Sequence, residues 1–124
     1  CTKASGSHSH AEGDATKALG LDSHAEGNAT VASGNYQHVS GKYNVEDTNN
    51  KYAIITGGGE NKSNKNIYTL DWNGNINCGT TDTEGNWTTY GTVNGININE
   101  MYKTLQTLVE QVNTLQQKIS APGN

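Results

Sequence analysis

An internal repeat of fixed length constrains the fold of this chain more than any other feature. Residues 2–15, 16–29 and 30–43 read TKASGSHSHAEGDA, TKALGLDSHAEGNA and TVASGNYQHVSGKY, a period of 14 residues without insertion. Three matched copies indicate a stacked architecture in which each unit packs on its neighbours. Four columns stay in register through the copies: Ala4, Ala18 and Ala32; Gly6, Gly20 and Gly34; His10, His24 and His38; Gly13, Gly27 and Gly41.

The residues of the unit favour strands over a helix. Each glycine inside a helix would cost about 1 kcal/mol relative to alanine, and no large apolar side chain would offset that cost. Two short strands and two turns instead form one rung of a parallel β-solenoid, with rungs about 4.8 Å apart and glycine supplying the turn angles. Alternation along the strand then places Ser9, Ala11 and Gly13 on one side and His10 and Glu12 on the other.

The small residues of this strand can fill only a narrow interior. Hydrophobic residues make up 31% of the 124, against about 45–50% in an average globular domain. The burial that offsets backbone entropy must therefore come from neighbouring rungs or from neighbouring chains. Cys1 occupies the column of Ala15 and Ala29, so we expect the array to continue upstream. Cys1 and Cys78 are too few for a disulfide framework or a zinc site.

Charge and hydropathy exclude two classes of partner. The net charge is −4 and the chain contains no arginine, so we expect no nucleic acid to bind. No run approaches 18 consecutive apolar residues, so we expect no membrane insertion.

A different pattern follows the repeat. After a polar stretch at 44–50, the chain reads KYAIITGGG, NIYTLDW, INCGT and NWTTYGTV, which are typical of strands. Asn73-Gly74 lies between two of these runs and is a strong hairpin signal. The sequence therefore predicts β-roll repeats over 1–43 and a β-rich hairpin connector over 44–96.

The last segment has the spacing of a coiled coil. Its apolar residues are spaced 3, 4, 3, 4, 3 and 4, an uninterrupted a/d seam: Ile98, Met101, Leu105, Leu108, Val112, Leu115 and Ile119. We predict a coiled coil over 97–120 and a tail over 121–124. Such a helix is unstable alone, so it requires partners. β-Branched residues at a with Leu at d favour two strands, whereas Tyr102 and Val109 at e suit three, so the seam leaves this number open.

The motifs of 2–43, in which SHAEG alternates with TxASG, resemble the YadA-type head repeats of trimeric adhesins. His and Glu stand here where those adhesins carry Val and Ile. The variant is similar to arrays in bacteriophage and prophage tail fibres and in surface proteins of Gram-positive bacteria. The TLDWxGN motif, here Thr69 to Asn75, is similar to a module that leads from such arrays toward a stalk.

This resemblance implies a fold and a function. The fold is all-β with a C-terminal helix: a left-handed parallel β-roll of 14-residue rungs, a β-hairpin connector and a trimeric coiled-coil stalk. The homotrimer would be a structural and attachment protein of a phage tail fibre, located in the virion tail, that presents a surface to a host receptor. The receptor would be a cell-surface glycan or protein. The alternative is a trimeric adhesin on a bacterial cell surface.

The two halves of the rung differ in their tolerance of substitution. SHAEG is kept in two copies, whereas the other half varies through Lys3, Lys17 and Val31, which is typical of a solvent face. Hydrogen bonds between His and Glu across the trimer would satisfy buried polar groups and set the register of the chains. The predicted trimer interface comprises His10, Glu12, His24, Glu26 and His38 together with the apolar seam Ile98, Met101, Leu105, Leu108, Val112, Leu115 and Ile119. The alternative is that SHAEG faces solvent.

Metal binding and catalysis receive little support from the sequence. His8 and His10 of three chains could supply six nitrogens to an octahedral metal, but Asp22 and Tyr36 replace His8 in the next rungs. We therefore favour a surface or interface histidine and expect no cofactor. Acid/base catalysis needs paired carboxylates in a concave site, whereas a solenoid face is convex, so we expect no enzyme.

Three aromatic residues are candidates for sugar contact. Trp72, Trp87 and Tyr90 could stack on a glycan. In a chain this poor in large apolar residues, we expect them to serve the core first.

Overall fold

The structure is a computed structural model that describes residues 1–121. Residues 122–124 of the predicted tail lie outside this range. The chain forms two compact units, of which the first is Cys1–Gly91 and the second begins at Thr92. The described strands are β1 Lys3–Ala4, β2 His10–Asp14, β3 Lys17–Ala18, β4 His24–Asn28, β5 Val31–Ala32, β6 His38–Lys42, β7 Tyr52–Gly58, β8 Asn66–Asp71, β9 Ile76–Thr81 and β10 Trp87–Tyr90, followed by the helix α1 Ile98–Ser120. This confirms the prediction of a mostly β chain with a C-terminal helix.

The repeats stack as parallel rungs. β1, β3 and β5 form one parallel sheet, while β2, β4 and β6 lie side by side in a second, seven-stranded sheet. His10 pairs with His24 and His24 with His38, so neighbouring rungs are related by the 14-residue period. The predicted solenoid is therefore confirmed over the three repeats.

A fourth rung follows where the sequence repeat has ended. β7 pairs in parallel with β6, and His38 lies opposite Ile54 and Val39 opposite Ile55. The interval of 16 positions makes this rung two residues longer than the others. The solenoid thus continues into the segment that the sequence assigns to the connector.

The interior contains small side chains in the first rungs and larger ones in the last. Its fully buried apolar residues are Ala18, Ala25, Ala32, Val39 and Ile55. One column of the second sheet widens stepwise, since Ala11 lies opposite Ala25, Ala25 opposite Val39 and Val39 opposite Ile55. The expected narrow interior is present, and its widest part belongs to the rung that lacks the repeat motif.

Glycine is required mainly where neighbouring rungs approach each other. A Cβ on Gly20 would lie 2.0 Å from the carbonyl oxygen of Gly34, although the φ of Gly20 is outside the left-handed region. Gly27 has both a φ of +105° and a neighbouring oxygen 2.0 Å from its would-be Cβ. In the turns that follow Gly20 and Gly34, the left-handed positions are held by Asp22 and Tyr36, with φ of 51° and 60°. The expectation that glycine supplies the turn angles is therefore wrong for the Gly20 column, where glycine provides space.

Side-chain amides continue the ladder beyond β5. The Oδ1 of Asn44 accepts a hydrogen bond from the Val31 N–H at 2.8 Å, and its Nδ2 donates to the Val31 carbonyl at 3.1 Å. Asn66 repeats the contact one level on, since its Oδ1 accepts from the Val45 N–H at 2.8 Å. Both asparagines are buried. They satisfy backbone groups that a further strand would otherwise pair.

The connector is an antiparallel meander. β7 pairs with β8, β8 with β9 and β9 with β10, so the predicted hairpin around Asn73-Gly74 is present. The Asp71 N–H donates to the Asn75 carbonyl and so closes the turn, which therefore includes Trp72 as well as Asn73 and Gly74. Gly74 has a φ of +85°.

The helix α1 begins after Asn97, whose side chain accepts a hydrogen bond from the Glu100 N–H at 3.0 Å. This is an N-cap. None of the 23 residues of α1 is buried. Within residues 1–121, no helix is long and apolar enough to cross a bilayer.

Candidate functional site

The outer face of β2, β4 and β6 carries a contiguous set of polar side chains, which we name the His/Glu face: His10, Glu12, His24, Glu26 and His38. The predicted alternation holds in β4, where Ala25 is buried in the interior while its neighbours His24 and Glu26 are half-buried on the opposite side. The parallel register stacks the three histidines in one column. The 14-residue repeat thus becomes a row of imidazoles on one surface.

The imidazoles of the His/Glu face contact one another. The ring centroids of His10 and His24 lie 5.0 Å apart with the rings nearly perpendicular, and those of His24 and His38 lie 4.6 Å apart with the rings stacked. Each glutamate approaches a histidine of the next rung, since Glu12 Oε1 lies 3.9 Å from His24 Nε2 and Glu26 Oε1 lies 3.4 Å from His38 Nε2. His10 Nε2 also lies 3.6 Å from Glu12 Oε2. The contacts predicted to join different chains are therefore also available within one chain.

His8 lies apart from this face. It occupies a left-handed turn position with a φ of 56°, just before β2 begins at His10. Its Nδ1 lies 3.4 Å from Asp22 Oδ1. The structure therefore brings His10 together with His24 rather than with His8.

The apolar seam of α1 forms a second candidate surface. Its seven residues are all exposed, from 52% at Leu108 and Val112 to 75% at Ile119. Tyr102 and Val109, at the flanking e positions, are exposed as well. One side of the helix is thus apolar and uncovered in the single chain.

The three candidate aromatic residues do not form one platform. Trp87 and Tyr90 stack with ring centroids 6.3 Å apart. Trp72 lies in the turn before β9, whereas Trp87 lies just after the turn that follows β9. The Trp72 indole N–H donates to the Asn50 carbonyl at 3.0 Å, although 48% of the residue is exposed. Only Trp87 and Tyr90 could contact the same sugar ring.

Two matching turns join the last strands. Asp71 Oδ1 accepts hydrogen bonds from the N–H groups of Asn73 and Asn75, and Asp82 Oδ1 accepts from those of Glu84 and Asn86, all at 2.9 Å. The sequence signal is D-x-x-G-N, which occurs at 71–75 and again at 82–86. The TLDWxGN motif at Thr69 to Asn75 contains only the first copy.

Hydrogen bonds keep both of these carboxyl groups acidic. The Asn75 side chain, followed by its backbone N–H, lowers the pKa of Asp71 below its ordinary value. The backbone N–H of Asn86 makes the largest contribution to lowering the pKa of Asp82. Both turns therefore favour the ionised form of their aspartate.

Comparison with known proteins identifies no relative: no family model, curated protein or solved structure matches this chain.

Proposed function

We propose that this chain is a segment of a trimeric, phage-tail-fibre-like attachment protein located in the virion tail. Its stacked rungs would form a left-handed β-roll that presents a receptor-binding surface, and α1 would wind with two copies of itself into a stalk. The observation that carries this proposal is the uncovered apolar seam of α1.

A single helix of this kind has little to stabilise it in water. Its polar positions are mainly Thr, Gln, Asn and Lys, and none of its residues is buried in the single chain. Most helical stability in proteins comes from packing an apolar face rather than from propensity. Leu105, Leu108 and Val112 form the centre of the seam, and knobs-into-holes packing against other copies would cover them.

The number of copies rests on two further observations. Tyr102 and Val109 are 60% and 51% exposed beside the seam, and they widen the apolar stripe beyond the a and d positions of a two-stranded coil. The resemblance of the repeats to trimeric heads also favours three chains. Three chains would in addition supply neighbours for the His/Glu face.

The assembly is tested by measuring mass. Light scattering of the full chain should give about three times the chain mass of 13.2 kDa. Replacing Leu108 and Leu115 by Asp would place charges in a desolvated seam, at a cost of several kcal/mol each, so this variant should lose the trimeric mass. Aspartate at Gln106 and Gln117, which lie outside the a, d and e positions, is the matched control and should preserve it.

A stable monomer with unchanged strand and helix content would refute the assembly. Equal dissociation by both pairs of substitutions would show that the seam is not the interface.

Attachment is tested separately with the trimer. Whole-cell binding and a glycan array should show saturable binding, and Tyr90→Ala should reduce it if the Trp87–Tyr90 pair contacts a sugar. A trimer that binds neither cells nor glycans would leave the chain a purely structural segment and would refute the attachment role.

A further inference from the structure

We propose that the His/Glu face binds a divalent transition-metal ion, with His24 as the central ligand. Two groups of three residues each place one ligand atom per residue within 4.8 Å of the others: His10, Glu12 and His24 in the first, and His24, Glu26 and His38 in the second. Each group offers two imidazole nitrogens and one carboxylate oxygen. All five residues belong to one chain, so the proposal does not rest on the proposed trimer.

The distances between the ligand atoms suit a metal ion. Zinc binds nitrogen and oxygen at about 2.0–2.2 Å in tetrahedral geometry, which separates two ligand atoms by about 3.3–3.6 Å. Glu26 Oε1 and His38 Nε2 already lie 3.4 Å apart, and Glu12 Oε2 and His10 Nε2 lie 3.6 Å apart. The longest contact, from Glu12 Oε1 to His24 Nε2, is 3.9 Å. Small side-chain rotations would therefore complete either group on a backbone that the parallel ladder holds in register.

A second, independent observation concerns the ring nitrogen of His24. Its Nε2 is buried and has no hydrogen-bond partner, whereas buried polar atoms in proteins almost always have one. The half-buried imidazole is held between the rings of His10 and His38. A metal ion would provide the partner that this nitrogen lacks.

The donor set indicates the class of metal. Imidazole nitrogens select zinc, copper, nickel and related ions, whereas magnesium and calcium prefer sites built from oxygen alone. Water molecules would fill the remaining coordination positions. Because both groups use His24, we expect one ion per chain.

The test is isothermal titration of the full chain with Zn²⁺, repeated with Co²⁺, whose visible absorption reports its coordination. Saturable binding of one ion per chain is expected. His24→Gln should weaken binding at least about tenfold, whereas His8→Gln, which removes a histidine outside both groups, should change it by less than about twofold.

Circular dichroism would show whether His24→Gln retains the fold. If it does not, the double variant Glu12→Gln and Glu26→Gln takes its place, because it removes one ligand from each group without touching the imidazoles. It should weaken zinc binding by a similar factor and abolish the tetrahedral cobalt spectrum.

The proposal is overturned by wild-type protein that shows no saturable binding. It is also overturned if His8→Gln weakens binding as much as His24→Gln does, or if the double glutamate variant binds as tightly as the wild type. None of these results bears on the mass of the assembly, so failure of the metal site and failure of the trimer are distinguishable.

Discussion

Three glycine-to-alanine substitutions can separate the cost of rung-to-rung crowding from the cost of a left-handed backbone. Gly74 has a φ of +85° and no atom within 4 Å of a would-be Cβ, so Gly74→Ala introduces backbone strain alone. Gly20→Ala introduces only crowding, because its Cβ would lie 2.0 Å from the Gly34 oxygen without a left-handed φ. Gly27→Ala introduces both, with a φ of +105° and an oxygen at 2.0 Å.

The expected magnitudes follow from these contacts. A left-handed backbone at a residue with a Cβ costs about 1–2 kcal/mol, which is the loss expected for Gly74→Ala. At Gly20, ordinary contact begins near 3.4 Å, so the opposing oxygen must move by more than an ångström. Separating the two backbones by that distance would also weaken the hydrogen bonds that the N–H groups of Leu19 and Gly20 donate to the Ala32 carbonyl of the next rung. Each weakened hydrogen bond costs about 1 kcal/mol, and residual strain adds to this cost. We therefore expect Gly20→Ala to lower the free energy of unfolding by about 2–4 kcal/mol. Gly27→Ala should lose about 3–6 kcal/mol, the sum of both effects.

Urea unfolding of each variant, followed by circular dichroism at neutral pH, measures these losses. The free energy of unfolding should fall least for Gly74→Ala, more for Gly20→Ala and most for Gly27→Ala. If Gly20→Ala were as stable as the wild type, or Gly27→Ala no less stable than Gly74→Ala, then crowding between neighbouring rungs would not contribute to the loss of stability and the close contact of the rungs would be wrong.

Two further predictions concern the interior and the aspartate turns. Ile55→Ala removes the largest fully buried apolar side chain and should lower the free energy of unfolding by about 2–5 kcal/mol in the same urea assay; Ile76→Ala, at a residue that is 61% exposed, should change it by less than about 0.5 kcal/mol. The pKa of Asp71 and of Asp82 is below its ordinary value of 3.8, so the stabilisation from their ionised forms is present above pH 3.8 and is lost as the pH falls through the lowered values. In thermal unfolding across this pH range, Asp71→Asn with Asp82→Asn should depend less on pH than the wild type; an unchanged dependence would contradict the role of these carboxylates.

The first three rungs were predictable because the sequence repeats itself. Parallel stacking places identical residues beside each other, so the period that relates His10 to His24 in the sequence is also the register of the strands. The interior position of Ala25 followed from alternation. The outward position of His24 and Glu26 followed for the same reason.

The fourth rung was not predictable from the same signal. Ile54 stands opposite His38, and the rung is two residues longer than the others, so neither identity nor period marks it. Asn44 closes the ladder of the first sheet through its side chain, which leaves no strand pattern to detect. The contacts of His24 with both neighbouring histidines depend on side-chain rotamers, which the amino-acid sequence alone does not specify. The second D-x-x-G-N turn was visible in the sequence and would have been found by comparing 82–86 with 71–75.

The widening interior also makes the two ends of the stack different, and this difference affects how the length of the stack can change. Each repeat touches only the rungs before and after it, so gain or loss of one whole 14-residue unit among the alanine-lined rungs would leave the remaining contacts intact. Such a change would alter the length of this part by about 4.8 Å, the distance between adjacent strands. The Val39 and Ile55 end is different, because β6 pairs there with the longer rung that contains β7 and not with another 14-residue unit. The array can therefore gain or lose rungs in uniform steps among the alanine-lined repeats, while the Val39 and Ile55 end keeps its junction with the connector.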